Sequence, residues 1–338
     1  MLILEHTPAQ ESAESTLFSP YLPYRHTLLT PMQIKQLSAL RPWRAIAAIV
    51  FCWTCLLAAF ALVAIHPAWW TVLLAIPVIG NRYYALFIIG HDGMHRRLFP
   101  TVRRNDFWTD LLILAPVGAI TRINNCNHLA HHRNLATPQD PDRHKHACFN
   151  KADHAEFLEF LSGLSSIWKS AKSVYLTHLQ KNSPRVPPNS AASPYSLRDF
   201  FMLAGWFVVL AGGLSWLIGW WAYPVLWILP VYLFMFLGDN FRAFAEHSHP
   251  QNDRDSDEQR MISYISNPFE RMLVAPMNMN YHAAHHLWPS IPYYNLPAAD
   301  RLIREHPDSI GLAWRKSYFG YLRRYWSALP IVECKQSR

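Results

Sequence analysis

Two long uncharged stretches dominate the pattern of apolar and polar positions. Residues 45 to 81 include no Asp, Glu, Lys or Arg, and neither do residues 200 to 238. A helix that crosses a bilayer takes about 20 mainly apolar residues, so each stretch predicts two spanning helices joined by a tight turn. The turns are expected near His66-Pro67-Ala68 and Trp221-Ala222-Tyr223, where Trp69, Trp70, Trp216, Trp220, Trp221 and Tyr223 gather as an interfacial aromatic belt does. This places spans near 45–65, 69–90, 200–220 and 223–241. Pro77 and Pro230 fall in the second helix of each pair, where a packed bundle tolerates a kink.

The remaining segments are polar or short. Phe107 to Ile120 is apolar but contains Asp110 and is too short to cross, so it predicts a helix lying in the interface. Thr30-Pro31 is a cap and first-turn pair that predicts a short surface helix over Pro31 to Leu40. Residues 182–196 are rich in Pro and Ser and read as a loop. The expected organisation is an N-terminal tail (1–44), a membrane-embedded catalytic domain (45–304) and a C-terminal tail (305–338). The fold class is an all-α integral membrane protein with four transmembrane helices in two hairpins.

Composition adds constraints. Half of the residues are apolar (51%) and 14 are Trp. The mean hydropathy is nevertheless near zero, which implies polar mass outside the bilayer. Five cysteines (Cys52, Cys55, Cys126, Cys148, Cys334) form no regular framework and suggest a reducing compartment. Cys126 precedes a histidine box by two residues, but an ordinary buried thiol is its expected role.

The net charge of +8 does not mark a nucleic-acid binder, because no Gly-rich RNA signature or basic reading helix accompanies it. Lys and Arg are absent from both turns and frequent elsewhere. The positive-inside rule therefore puts the turns away from the cytoplasm and everything else on its side, at the inner membrane in a bacterium.

The candidate chemistry lies in the histidines. Three boxes read His91-Asp-Gly-Met-His95, His128-Leu-Ala-His131-His132 and His282-Ala-Ala-His285-His286, and His247 follows Glu246 after the last span. On a helix, positions i, i+3 and i+4 share a face, so each box aims its imidazoles one way. His91 lies about 31 Å past Trp70 and His247 about 36 Å past Tyr223 at helical rise, so both emerge just beyond a hydrocarbon core of about 30 Å. All nine histidines thus converge in a cytoplasmic helical cap. Imidazole clusters suit first-row metals, iron first among them. Asp92, Asn124, Asn127, Asp140, Asp142 and Glu246 are the candidates for orienting the rings through hydrogen bonds.

Other metal chemistry fits less well. A metalloprotease needs His-Glu-x-x-His, and box one has Asp92-Gly-Met instead. A transporter needs ligands near the bilayer midplane, and these spans have almost none.

These motifs, with Gly90 and Arg96 flanking box one, Asn127-to-Asp142 around box two and Asn278-to-Pro297 around box three, resemble the membrane-bound fatty acid desaturase and hydroxylase superfamily. Arg242 to His247 resembles the segment that brings an extra histidine after the fourth helix.

The resemblance implies two non-haem iron ions held by His91, His95, His128, His131, His132, His247, His282, His285 and His286, with O₂ as co-substrate. The implied reaction is desaturation of a fatty acyl or acyl-like lipid. Hydroxylation or ketolation on the same scaffold, with a small non-lipid metabolite among the candidate substrates, is the alternative. Electrons must then come from a separate ferredoxin, rubredoxin or cytochrome b₅-type donor. Arg96, Arg97, Arg103, Arg104 and the Arg315-to-Arg324 region offer it a basic surface.

Two positions depart from the family pattern. Ala283-Ala284 replaces the Leu-Glu common in box three, and Ala243 stands where some relatives have Asn. His249 is a spare histidine with no matching role.

Overall fold

The computed structural model describes residues 27–146 (apart from 136 and 138), 153–168 (apart from 165–167), 196–248 and 261–329. His249 and residues 182–195 of the Pro/Ser segment lie outside these.

Helix α1 (Pro31–Leu37) starts at a reciprocal cap: the Gln33 N–H donates to Thr30 Oγ1, and the Thr30 N–H to Gln33 Oε1 at 2.8 Å. Four helices are long and apolar enough to cross a membrane: α2 (Pro42–Ile65), α3 (Trp69–Met94), α8 (Leu197–Leu217) and α9 (Pro224–His247). The break between α2 and α3 falls at His66–Ala68. Helix α2 buries one stripe (Ala45, Ile49, Cys52, Leu56, Ala59, Val63) against the bundle and leaves Val50, Phe51 and Leu57 exposed. In water that exposed stripe would be costly; facing lipid tails it is not.

Helix α3 is buried almost all round from Tyr83 to Met94, which makes it the central post of the molecule. Pro77 lies inside it without interrupting it, whereas Pro230 in α9 separates two π-helical stretches, Pro224–Ile228 and Val231–Phe236. Gly93, inside box one, lies so close to Thr109 that a Cβ would strike its side chain. That contact brings α4 (Val102–Thr109) against the end of α3.

Residues 107–120 depart from the single helix expected of them. Helix α4 passes into a π turn (Asp110–Leu114) and a 3₁₀ turn (Ala115–Val117), and ends at Gly118 with φ 80°. The physical reason is Asp110: its buried carboxylate accepts the Thr121 N–H at 2.7 Å, capping α5 (Thr121–Asn134), the helix that holds box two.

Short helices α6 (Arg143–His146) and α7 (His154–Ser162) follow, then α8 and α9. Past α9 the chain forms β1 (Ile262–Tyr264), α10 (Pro268–Val274), α11 (His282–Leu287) and α12 (Leu296–Arg304). It then forms β2 (Ala313–Arg315) and α13 (Tyr318–Ala328).

The molecule is mostly helical, with one small addition to the expected all-α class. Strands β1 and β2 pair in parallel, Ile262 with Ala313 and Tyr264 with Arg315. Residues 313–328, assigned to a tail from sequence, are built into the core. The Tyr318 ring stacks on Tyr264 at 3.7 Å, and Glu270 accepts from the Ser317 hydroxyl at 2.6 Å and the Tyr318 N–H at 2.8 Å.

Candidate metal centre

Box one ends α3, box two is the last turns of α5, His247 closes α9, and box three forms α11. Before α11 the backbone turns through two left-handed residues, Met277 (φ 54°) and Asn278 (φ 62°). Methionine rarely adopts this conformation, and the turn aims box three at the others.

The nine histidines sort into two groups. The ligand atoms of His91, His95, His128, His132 and His285 lie within 4.8 Å of one another, as do those of His131, His247 and His286. His282 joins the second group, its Nε2 2.8 Å from Nε2 of His247. The boxes interleave between the groups. His128 and His132, four apart on α5, go to the first while His131 goes to the second; on α11, His285 goes to the first while His282 and His286 go to the second.

This donor set fits metal ions. Nε2 atoms face each other at 2.8 Å (His95–His128), 3.0 Å (His128–His132) and 3.2 Å (His132–His285). Nδ1 of His91, His132 and His285 and both ring nitrogens of His286 are buried without a hydrogen-bond partner among the described residues. Nε2 lone pairs facing one another this closely are costly unless a proton or a cation lies between them.

Burial keeps six of these rings neutral. It pushes His95 down to about 3 and holds His128, His132, His282, His285 and His286 well below the usual imidazole range. Neutral imidazole is the form that binds metal.

Of the six residues proposed to orient the rings, two contact imidazoles directly. Asp140 Oδ1 accepts from Nδ1 of His131 at 2.8 Å. Glu246 Oε2 lies 3.2 Å from Nδ1 of His282. Burial alone would raise the Asp140 carboxyl; hydrogen bonds from His131 and His146 outweigh it and hold it below the usual range.

The other four show no hydrogen bond to these imidazoles among the described residues. Asp92 accepts the Tyr293 N–H at 2.6 Å, tying α3 to the chain after box three. The Asn124 amide donates to the Ile120 carbonyl at 2.9 Å. Asn127 lines the cavity beside the histidines, and so does Asp142, paired with Lys145 at 3.2 Å. Cys126 stays off the site, its thiol directed to the Arg122 carbonyl.

Other residues of the site are not among those singled out from sequence. His146 Nε2 donates to the second oxygen of Asp140 at 2.9 Å. The Tyr318 hydroxyl donates to Glu246 Oε1 at 2.7 Å, and Arg242 bridges Glu246 (2.7 Å) and Asp239 (2.8 Å). An Asp140-x₅-His146 spacing was the available signal for the first. Tyr318, 72 residues beyond Glu246, leaves none. A cavity of about 230 Å³ opens onto both histidine groups, lined also by Asp142, Lys145, Asp239, Arg242 and Ala243.

The chain is similar to known proteins. The profile of the fatty acid desaturase family matches residues 67–318. The chain is 29% identical to dihydrorhizobitoxine desaturase of Bradyrhizobium elkanii, over 83% of this chain and 82% of that one. It is 23% identical to a beta-carotene ketolase of a Paracoccus species, over 72% and 88%. To a Synechocystis sn-1 acyl-lipid omega-3 desaturase (ferredoxin) it is 22% identical, over 79% and 77%. With the family's profile covering most of its length and two groups of histidines converging at its centre, the chain belongs to the fatty acid desaturase family of oxidoreductases.

Proposed function

We propose that the protein is an O₂-dependent, non-haem di-iron desaturase acting on an aliphatic CH₂–CH₂ unit of an acyl or acyl-like substrate. The observation that carries this reading is the division of nine histidines into two adjacent groups. His91, His95, His128, His132 and His285 would hold one ion, and His131, His247, His282 and His286 the other. Iron held there supplies O₂ activation and the removal of hydrogen from an unactivated C–H bond. The balanced reaction takes substrate, O₂, two electrons and two protons to the alkene and two waters.

The chain's own residues orient and exclude. Asp140 and Glu246 fix two rings through Nδ1, which leaves Nε2 for metal. Burial of box three keeps bulk water from the centre.

The electrons come from a separate donor, and the likeness to a desaturase named for ferredoxin supports a donor of that class. We place the site on the cytoplasmic side of a multi-pass membrane protein: His91 and His247 both end helices of spanning length, and the basic residues lie around them.

A second reading, hydroxylation or ketolation on the same centre, is favoured by the likeness to a ketolase. Both begin with C–H abstraction, and the substrate's position then decides the outcome. Mass spectrometry of cells expressing the wild type or His285→Ala, with a ferredoxin donor supplied, separates them. A wild-type-only product lighter by two hydrogens supports desaturation; one heavier by one oxygen (a hydroxyl), or by one oxygen less two hydrogens (a ketone), supports the second reading.

A further inference from the structure

Residues 110–117 leave the α-helical ladder, and main-chain carbonyls there need other donors. Pro116 has no N–H, so it reaches neither Leu112 O four residues back nor Leu111 O five back. Among apolar spanning helices, side chains must serve instead of water. Trp206 Nε1 donates to Leu111 O at 2.7 Å and Trp53 Nε1 to Leu112 O at 2.9 Å. The Tyr83 hydroxyl donates to Ile113 O, and Trp227 Nε1 to Pro116 O at 3.3 Å. These donors come one each from α2, α3, α8 and α9, so every helix of spanning length grips this one segment. Trp53 also stacks on Trp206, ring centroids 5.3 Å apart. Trp216, on α8 as well, is by contrast 85% exposed.

The gripped segment touches box one and starts box two. A Cβ on Gly90, the residue before His91, would strike Ile113, and one on Gly93 would strike Thr109. Asp110 caps α5 through the Thr121 N–H. Two amides complete the join: Asn105 donates to the Gly93 carbonyl at 2.7 Å, and Asn125 of α5 to the Met94 carbonyl. Residues 110–117 therefore set how box two stands against box one. Only the first histidine group draws on both boxes, with His91 and His95 from one and His128 and His132 from the other. The second group takes nothing from box one, and its single box-two residue, His131, is held by Asp140.

We propose that Trp53 and Trp206 are positioning residues for the metal centre. Their indole N–H groups fix the 110–117 segment, and through it the register of box two on box one, which sets the first metal position and not the second. This rests on the reading of the two histidine groups as two metal positions.

Trp53→Phe and Trp206→Phe keep an aromatic ring in each place and remove only the donor. Each, and the pair together, is combined with His282→Ala, which disables the second group, and with His285→Ala, which disables the first. Affinity for ferrous iron is measured without O₂, against a competing chelator, on the purified full chain in detergent. Trp216→Phe is the control, and helical circular dichroism reports the fold.

In the His282→Ala background each substitution should weaken iron about threefold or more, and the pair about tenfold, as buried carbonyls lose their donors. In the His285→Ala background the change should stay below about twofold, and Trp216→Phe should alter neither. General loosening of the bundle would weaken both positions alike. Equal losses in the two backgrounds, no loss in the first, or loss of the helical signal by both Phe variants would overturn the proposal. A wild type that binds one ion, lost with His285 and indifferent to His282, would end the two-metal reading; the Trp variants must still weaken that ion. One ion lost with His282 and indifferent to His285 would overturn both.

Discussion

His131 and Asp140 meet through Nδ1 and Oδ1 at 2.8 Å, both side chains buried, and the other carboxylate oxygen is held by His146. One acid thus fixes the ring that box two sends to the second histidine group. Asp140→Asn keeps the shape but cannot accept from both rings. We expect iron affinity to fall about 10- to 100-fold, as for other partners of metal-ligating histidines. Titration of iron against a competing chelator measures this, and wild-type affinity in the variant would remove Asp140 from the design.

Glu246 is buried among Arg242, His282 and Tyr318, and the phenol hydroxyl supplies one of its hydrogen bonds. Tyr318→Phe leaves that oxygen unsatisfied, at a cost of about 1–3 kcal/mol. A lower thermal midpoint in detergent is the expected result. An unchanged midpoint would mean that residues 313–328 are dispensable to the site.

The four apolar helices and the three boxes were legible because their signals are local: uncharged length for one, helical periodicity for the other. What was not legible depends on contacts distant in sequence. Nothing near Tyr318 announces that it reaches Glu246, and nothing in 305–338 announces a strand pairing back to Ile262. Asp92 shows the converse. Its position inside box one invited a role on the imidazoles, yet its rotamer takes it to the Tyr293 backbone. Asp110, which looked like a flaw in an apolar helix, is the cap that starts the box-two helix.

Acid should destabilise the metal-free protein for a definite reason. Burial, the first cause for each, lowers the folded pKa of His95 to about 3 and those of His128, His132, His282, His285 and His286 below the ordinary value of about 6.5. The unfolded chain therefore binds more protons, and stability is lost as pH falls from about 6.5 toward 3. Thermal midpoints of the chelated protein at pH 7.5 and 5.5 should differ, with the lower midpoint in acid. A flat profile would mean that the rings are already solvated when metal is absent.

The most direct test is the iron content per chain of the purified protein, wild type against His285→Ala and His282→Ala. Two groups of ligands, one served by His285 and the other by His282, require two irons in the wild type. Each variant should fall toward one iron, with helical circular dichroism unchanged because neither residue belongs to a helix of spanning length. A single iron in the wild type, zinc in its place, or full iron in both variants would contradict the two-metal centre.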